Sequence, residues 1–157
     1  MTIIGQLMNA TLIFILLALV AGLTIPTQAG INAQLTSYWA RSPVLAATVS
    51  FFVGTVGLFI YVFLTRIPLP PLTDIGRSPW WIWIGGLLGA FFVSTTIFLA
   101  PKLGATTMTA LILAGQMSAS LYLDHFGYLG YPEHAASPGR IAGVLLIVGG
   151  VAMVRIF

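Results

Sequence analysis

The side chains that could do chemistry in this sequence are few, and most carry no charge. Gln28 and Asn32 stand four residues apart; so do Gln116 and Ser120, with Asp124 four further on. On a helix such spacing gathers each set on one face, and Thr24 extends the first set backwards. Carboxamides donate and accept hydrogen bonds without titrating, so this pattern points to recognition of a neutral or amphipathic small molecule rather than to bond breaking. Ser50 and the run Ser94-Thr95-Thr96 add hydroxyls, and Trp83 offers an aromatic flank for the apolar part of a ligand. The competing reading is that these groups glue helices together, each pair contributing about 1 kcal/mol or less. Three carboxamides on one small bundle exceed what packing requires. Gln28, Asn32 and Gln116 are therefore taken as the substrate-binding set, with Ser50, Ser94, Thr95, Ser120 and Trp83 around it. For the hydroxyls the packing reading stays open.

Asp124-His125 is the one carboxylate–imidazole pair beside an apolar stretch. It could couple transport to protons or bind a cation. It could equally form a local ion pair with Arg140 and close the turn before Gly127. Glu133 and His134 read as solvated loop residues. No His/Asp/Glu cluster has metal-ligand spacing, there is no cysteine, and neither a phosphate loop nor a nucleophile–base pair occurs. No metal, cofactor or enzymatic activity is expected.

These groups must be held by elements suited to lipid. Of 157 residues, 59% are hydrophobic and only 6% charged, against about a quarter charged in soluble domains. So few charges could not cover a surface in water. The net charge of +3 is scattered with no basic run, which leaves nucleic-acid binding without a footprint. Met1–Ala10 lacks Lys and Arg, and apolar sequence continues to Leu23, so the start reads as a retained span and not a cleaved signal.

A spanning helix needs about 20 apolar residues. The expected fold is all-α: one transmembrane domain over 1–157, with five helices at about 11–38, 43–64, 79–99, 105–123 and 140–156. Ser42-Pro43, Ser78-Pro79 and Ser137-Pro138 read as helix starts, serine capping a free N–H and proline opening the helix. Pro26 should kink the first helix, and Trp80-Trp81 with Trp83 reads as an interfacial anchor. At about 1.5 Å per residue, Gln28 and Gln116 both lie about 15 Å from the face bearing Lys102, near the midplane. Gly54 and Gly89 fall at a similar level. Gly54, Gly85, Gly89 and Gly143 are read as close-packing positions.

Five crossings put Arg66, Arg77 and Arg140 on one face and Arg41, Lys102 and Arg155 on the other. Orientation normally follows a Lys/Arg excess, and here three oppose three. Either other factors set the topology, or the chain inserts both ways and pairs as an antiparallel dimer, building an inverted repeat from two copies.

Gln28-Ala29-Gly30-Ile31-Asn32, Ser50-Phe51 with Gly54, Gly85-Gly86 with Gly89, Ala114-Gly115-Gln116, Ser120 and Asp124-His125-Phe126-Gly127 occur in that order. The series resembles the YdcZ-type five-helix family of the drug/metabolite transporter superfamily over nearly the whole chain. The resemblance implies a multi-pass protein of the bacterial inner membrane, half of an inverted-repeat carrier, working as a homodimer or with a sister subunit. It implies a small secondary transporter, export before uptake, with Gln28, Asn32, Gln116 and Asp124 as signature positions. Its expected partners are a small-molecule substrate, membrane lipids and a second five-helix unit. The rivals are a non-transporting subunit or scaffold, whose amides would only specify helix pairing, and a lipid flippase subunit.

Overall fold

In the computed structural model residues 3–156 are described, with side chains described from residue 11 onward except at positions 72 and 155. The side chains of Arg155, one of the six cations weighed for topology, and of the whole Met1–Ala10 stretch therefore lie outside the described ones.

The backbone is helical throughout, with no strand among the described residues. Five α-helices follow one another: α1 (Ile3–Leu35), α2 (Pro43–Thr65), α3 (Gly85–Leu103), α4 (Ala105–Phe126) and α5 (Pro138–Ile156). α1, α2 and α3 (the last with the turn before it) are long and apolar enough to cross a membrane. α4 is diluted by Gln116, its hydroxyls and Asp124, and does not reach that apolar level; in α5 the apolar stretch among the described residues is Pro138–Val154. An all-helical, polytopic membrane protein is the fold. Leu, Phe, Val and Ile side chains lie exposed along α1, α2 and α3, the expected state of a surface whose solvent is lipid.

Local backbone chemistry sets the breaks. α2 opens on Pro43, where the missing N–H costs nothing, and Ala46 N–H donates to the Ser42 carbonyl at 3.0 Å. Gly104, at φ +75°, separates α3 from α4. Gly127, left-handed at φ +61°, closes α4 by donating its N–H to the Asp124 carbonyl. Arg41 and Arg66 take the same left-handed role after the preceding helices, a position usually left to glycine or asparagine.

Two expectations about helix starts change. The Ser42 side chain makes no capping bond, and the Ser78 hydroxyl turns back to the Asp74 carbonyl at 3.0 Å. Only at Ser137 does the hydroxyl accept a backbone N–H, from Arg140 at 3.4 Å. The third span also begins as a 3-10 segment, Trp80–Ile84, that leads into α3, and α3 runs on through Pro101 to Leu103. A one-turn π-helix, Thr36–Ala40, follows α1.

The chain divides into two compact units, with the boundary in α1 directly after Pro26. Pro26 has no N–H to offer the Gly22 carbonyl, a weak point in the helical ladder. One unit, Thr27–Pro101, holds the rest of α1 with α2 and α3; its core gathers Ala40, Ala46, Ala47, Val93 and Ile97, with Leu35 and Phe92 packed against them. The other, Met1–Pro26 with Lys102–Phe157, is dominated by α4 packed along α5.

Candidate functional site

In the unit spanning Thr27–Pro101, small side chains let the helices approach: Ala46 and Ala47 of α2 are fully enclosed. That approach buries Asn32 to 4% exposure, and its Nδ2 donates to Ser50 Oγ at 3.2 Å. A buried carboxamide without partners would be costly, so this bond specifies the rotation of α1 against α2. Thr36 Oγ1 donates to the Asn32 carbonyl at 3.0 Å, tying Asn32 to the π turn that follows. The Thr36 carbonyl then accepts the Arg41 N–H at 2.8 Å, a five-residue bond that ends the helix.

Beside this bond lies a cleft of about 240 Å³ lined by Gln28, Ser50, Phe51, Gly54, Thr55 and Leu58. Gln28 stands one turn before Asn32, but it is exposed and has no hydrogen-bond partner among the described residues. Its amide is thus available to a ligand, whereas Asn32 is committed to Ser50. The floor at Gly54 is open, since a Cβ there would meet nothing within 4 Å. Gly85 and Gly143 are equally open; of the four glycines read as packing positions, Gly89 alone has a neighbour, Phe51 Cζ, at 3.5 Å.

The other proposed ligand groups disperse. Ser94 and Thr95 are half-buried on α3 and do not line the cleft, and Trp83 is exposed in the 3-10 segment before α3. Gln116 belongs to the unit built on α4 and α5 and is exposed. Thr55 and Leu58 were not singled out in the sequence, and Phe51 entered only through the family resemblance, not as a ligand group. The helical recurrence of 51, 55 and 58 next to Ser50 and Gly54 was the signal that could have found them.

In the α4–α5 unit, the Asp124 carboxylate pairs with Arg140, the local ion pair foreseen as one of two readings. Arg140 Nη1 also donates to the His134 carbonyl at 2.7 Å, and the His134 N–H to the Asp124 carbonyl at 2.8 Å. His125 Nδ1 accepts the Ala136 N–H at 3.2 Å. Asp124, His125 and Arg140 thereby clasp the loop that joins α4 to α5. Tyr122, Phe126 and Tyr128 stack beside it, with ring centroids 5.0 to 5.9 Å apart. A second cleft of about 240 Å³ runs from this ion pair down the α4–α5 seam. Thr109 Oγ1 is buried without a partner. Among the described residues no three His, Cys, Asp or Glu side chains are grouped to hold a metal ion.

Residues 13–153 match the family described as "Putative inner membrane exporter, YdcZ". The chain is 31% identical over 135 residues to the Inner membrane protein YdcZ of Escherichia coli (strain K12), covering 85% of this chain and 89% of that protein. It is 30% identical over 139 residues to the Uncharacterized transporter YdfC of Bacillus subtilis (strain 168), covering 85% of this chain but 42% of that protein. No solved structure matches.

Proposed function

The chain belongs to the YdcZ family of inner membrane proteins, and on that footing we propose that it is a small secondary exporter of an uncharged or amphipathic molecule. It acts without enzymatic chemistry, from the bacterial inner membrane, by alternating access in a dimer of five-helix units. All five helices cross the bilayer in this reading.

The observation that carries the reading is the Gln28 carboxamide. It has no partner among the described residues and opens on a cleft whose wall is pinned by the Asn32–Ser50 bond. A polar group at membrane depth with no internal use marks a pathway more often than a scaffold. Gln28 and Ser50 bind the polar part of the substrate, and Phe51 and Leu58 its apolar part. Gln116 offers a second exposed carboxamide on α4.

The dimer draws support from the relative of which this chain matches 42%, a protein about twice as long as this one. A single chain of that length could carry two such units; in this reading the second unit is another copy or a sister subunit, antiparallel in keeping with the balanced charges.

The test is a thermal-shift screen of purified protein against small metabolites, repeated with Gln28→Leu. A ligand that binds the native state raises apparent stability. A hit lost in Gln28→Leu, with the dimer intact by cross-linking, supports the carrier. Loss of the dimer instead, with no hit for the native chain, favours a scaffold and overturns the reading.

A further inference from the structure

The cleft on the α4–α5 seam has a polarity that the transport reading does not use. At one end stands the Asp124–Arg140 ion pair, in the last turn of α4 and the first turn of α5. Inward from it come Leu121, Ser120 and then Met117 on α4, and Gly143, Val144 and then Ile147 on α5, so the far end is wholly apolar. The two helices contribute positions 117, 120, 121, 124 and 140, 143, 144, 147, the same recurrence run in opposite directions. The gradient from charge to hydrocarbon therefore spans about 10 Å along the pair.

We propose that this groove is a binding site for a zwitterionic phospholipid with a primary ammonium, of the phosphatidylethanolamine type. On the proposed reading in which α4 and α5 cross the bilayer, the ion pair at their ends lies at the depth of lipid headgroups. It is neutral as a pair, yet each partner keeps a free atom: Asp124 Oδ1 and Arg140 Nε make no hydrogen bond among the described residues. A headgroup carrying both an ammonium and a phosphate answers both, the ammonium N–H groups donating to Asp124 and the phosphate accepting from Arg140. An anionic headgroup satisfies Arg140 but faces the Asp124 carboxylate unpaired. A choline headgroup has no N–H to donate. Below, the space beside Gly143 is open, since a Cβ there would meet nothing within 4 Å. The cleft exceeds the roughly 150 Å³ that accommodates benzene in an apolar protein cavity, which suits a stretch of acyl chain.

The experiment uses the full chain, purified in mild detergent, stripped of lipid and titrated with phosphatidylethanolamine, phosphatidylcholine or phosphatidylglycerol in mixed micelles, with bound lipid read by native mass spectrometry. The expected result is an ethanolamine preference of about fivefold over each of the others, the size of one charged contact of about 1 kcal/mol at a membrane surface. Gly143→Leu fills the groove and leaves the ion pair in place, so it should abolish the preference with helical circular dichroism unchanged. Equal or tighter binding of phosphatidylglycerol by the native chain would overturn the proposal whatever the variant does. So would Gly143→Leu binding the ethanolamine lipid as before, or its losing dimerisation while lipid binding persists, which would assign the groove to a second copy. Because the readout is lipid retention and not flux, failure here leaves the exporter reading to its own test.

Discussion

Replacing Asn32 and Ser50 by alanine, singly and together, tests whether their bond specifies how α1 and α2 meet. The bond is neutral, and its 3.2 Å length is at the long end of the N–H···O range. Such contacts in membrane bundles average about 0.6 kcal/mol and reach about 1.7. Burial of Asn32 to 4% argues for the upper half of that range, and the partial exposure of Ser50 argues against its top. The coupling energy should therefore be about 1 kcal/mol, a fivefold change in the folding equilibrium. Asn32→Ala alone should cost more, about 2 kcal/mol, because it also empties space beside Ala46 and Ala47 or leaves it to rearrange. Ser50→Ala should cost about 1 kcal/mol by stranding the Asn32 amide. Equilibrium unfolding in mixed micelles, with sodium dodecyl sulfate as the denaturing component and far-ultraviolet circular dichroism as signal, gives all four stabilities. A coupling below about 0.3 kcal/mol, within the range where distant sites simply add, would refute the claim that this bond holds the helices in register.

Other substitutions probe other parts of the molecule. Thr109→Val should raise stability by about 1 kcal/mol in the same unfolding assay, since it removes a buried hydroxyl with no partner; a loss would reveal a hidden partner for that oxygen. Ser137→Ala should cost about 0.5–1 kcal/mol and Ser42→Ala close to nothing, because only Ser137 caps its helix with the side chain; equal effects would contradict that difference. Arg140→Gln should cost about 1 kcal/mol and open the loop at 127–137 to limited proteolysis, the modest size following from a partly exposed ion pair. Gly54→Leu should block ligand-induced thermal shifts yet leave the fold intact, because a side chain there enters open cleft; an unchanged shift would move the substrate away from this groove.

What could be read from the sequence was what depends on a few neighbouring residues. Pro43, Gly104 and Gly127 impose backbone geometry by themselves, and the helix ends lie where these residues put them. The start of α1 at Ile3 was missed because bilayer thickness limited the expected span, whereas nothing between Ile3 and Thr11 interrupts helical hydrogen bonding. The three Ser-Pro pairs show the limit of motif reading. Their sequences are alike, yet Ser78 has Asp74 one turn back to bond and Ser42 makes no side-chain cap, so only Ser137 behaves as the motif suggests. Among the site residues, Gln28, Asn32 and Ser50 were each identifiable as polar groups at membrane depth. That Asn32 is consumed by Ser50 while Gln28 stays available depends on the rotation of one helix about another, which no single-helix pattern encodes. The Arg140 clasp was foreseeable because all its partners lie within 17 residues of one another.

The contrast between Gln28 and Asn32 also bears on the proposed pairing of two units. Phe59, Phe63 and Leu64 on α2 can face lipid at no cost, and their exposure calls for no protein partner. Exposed carboxamides are different: in hydrocarbon an unpaired amide costs several kcal/mol, so Gln28 and Gln116 cannot both face acyl chains in a stable protein. Either water reaches them through a cavity or another chain covers them, and a carrier assembled from two units provides both at once. A relative about twice as long as this chain fits the same economy, since joining two units would remove the entropy cost of finding a partner without altering what each must cover. The two amides that α1 and α4 leave exposed thus support the proposed second unit independently of any argument from topology.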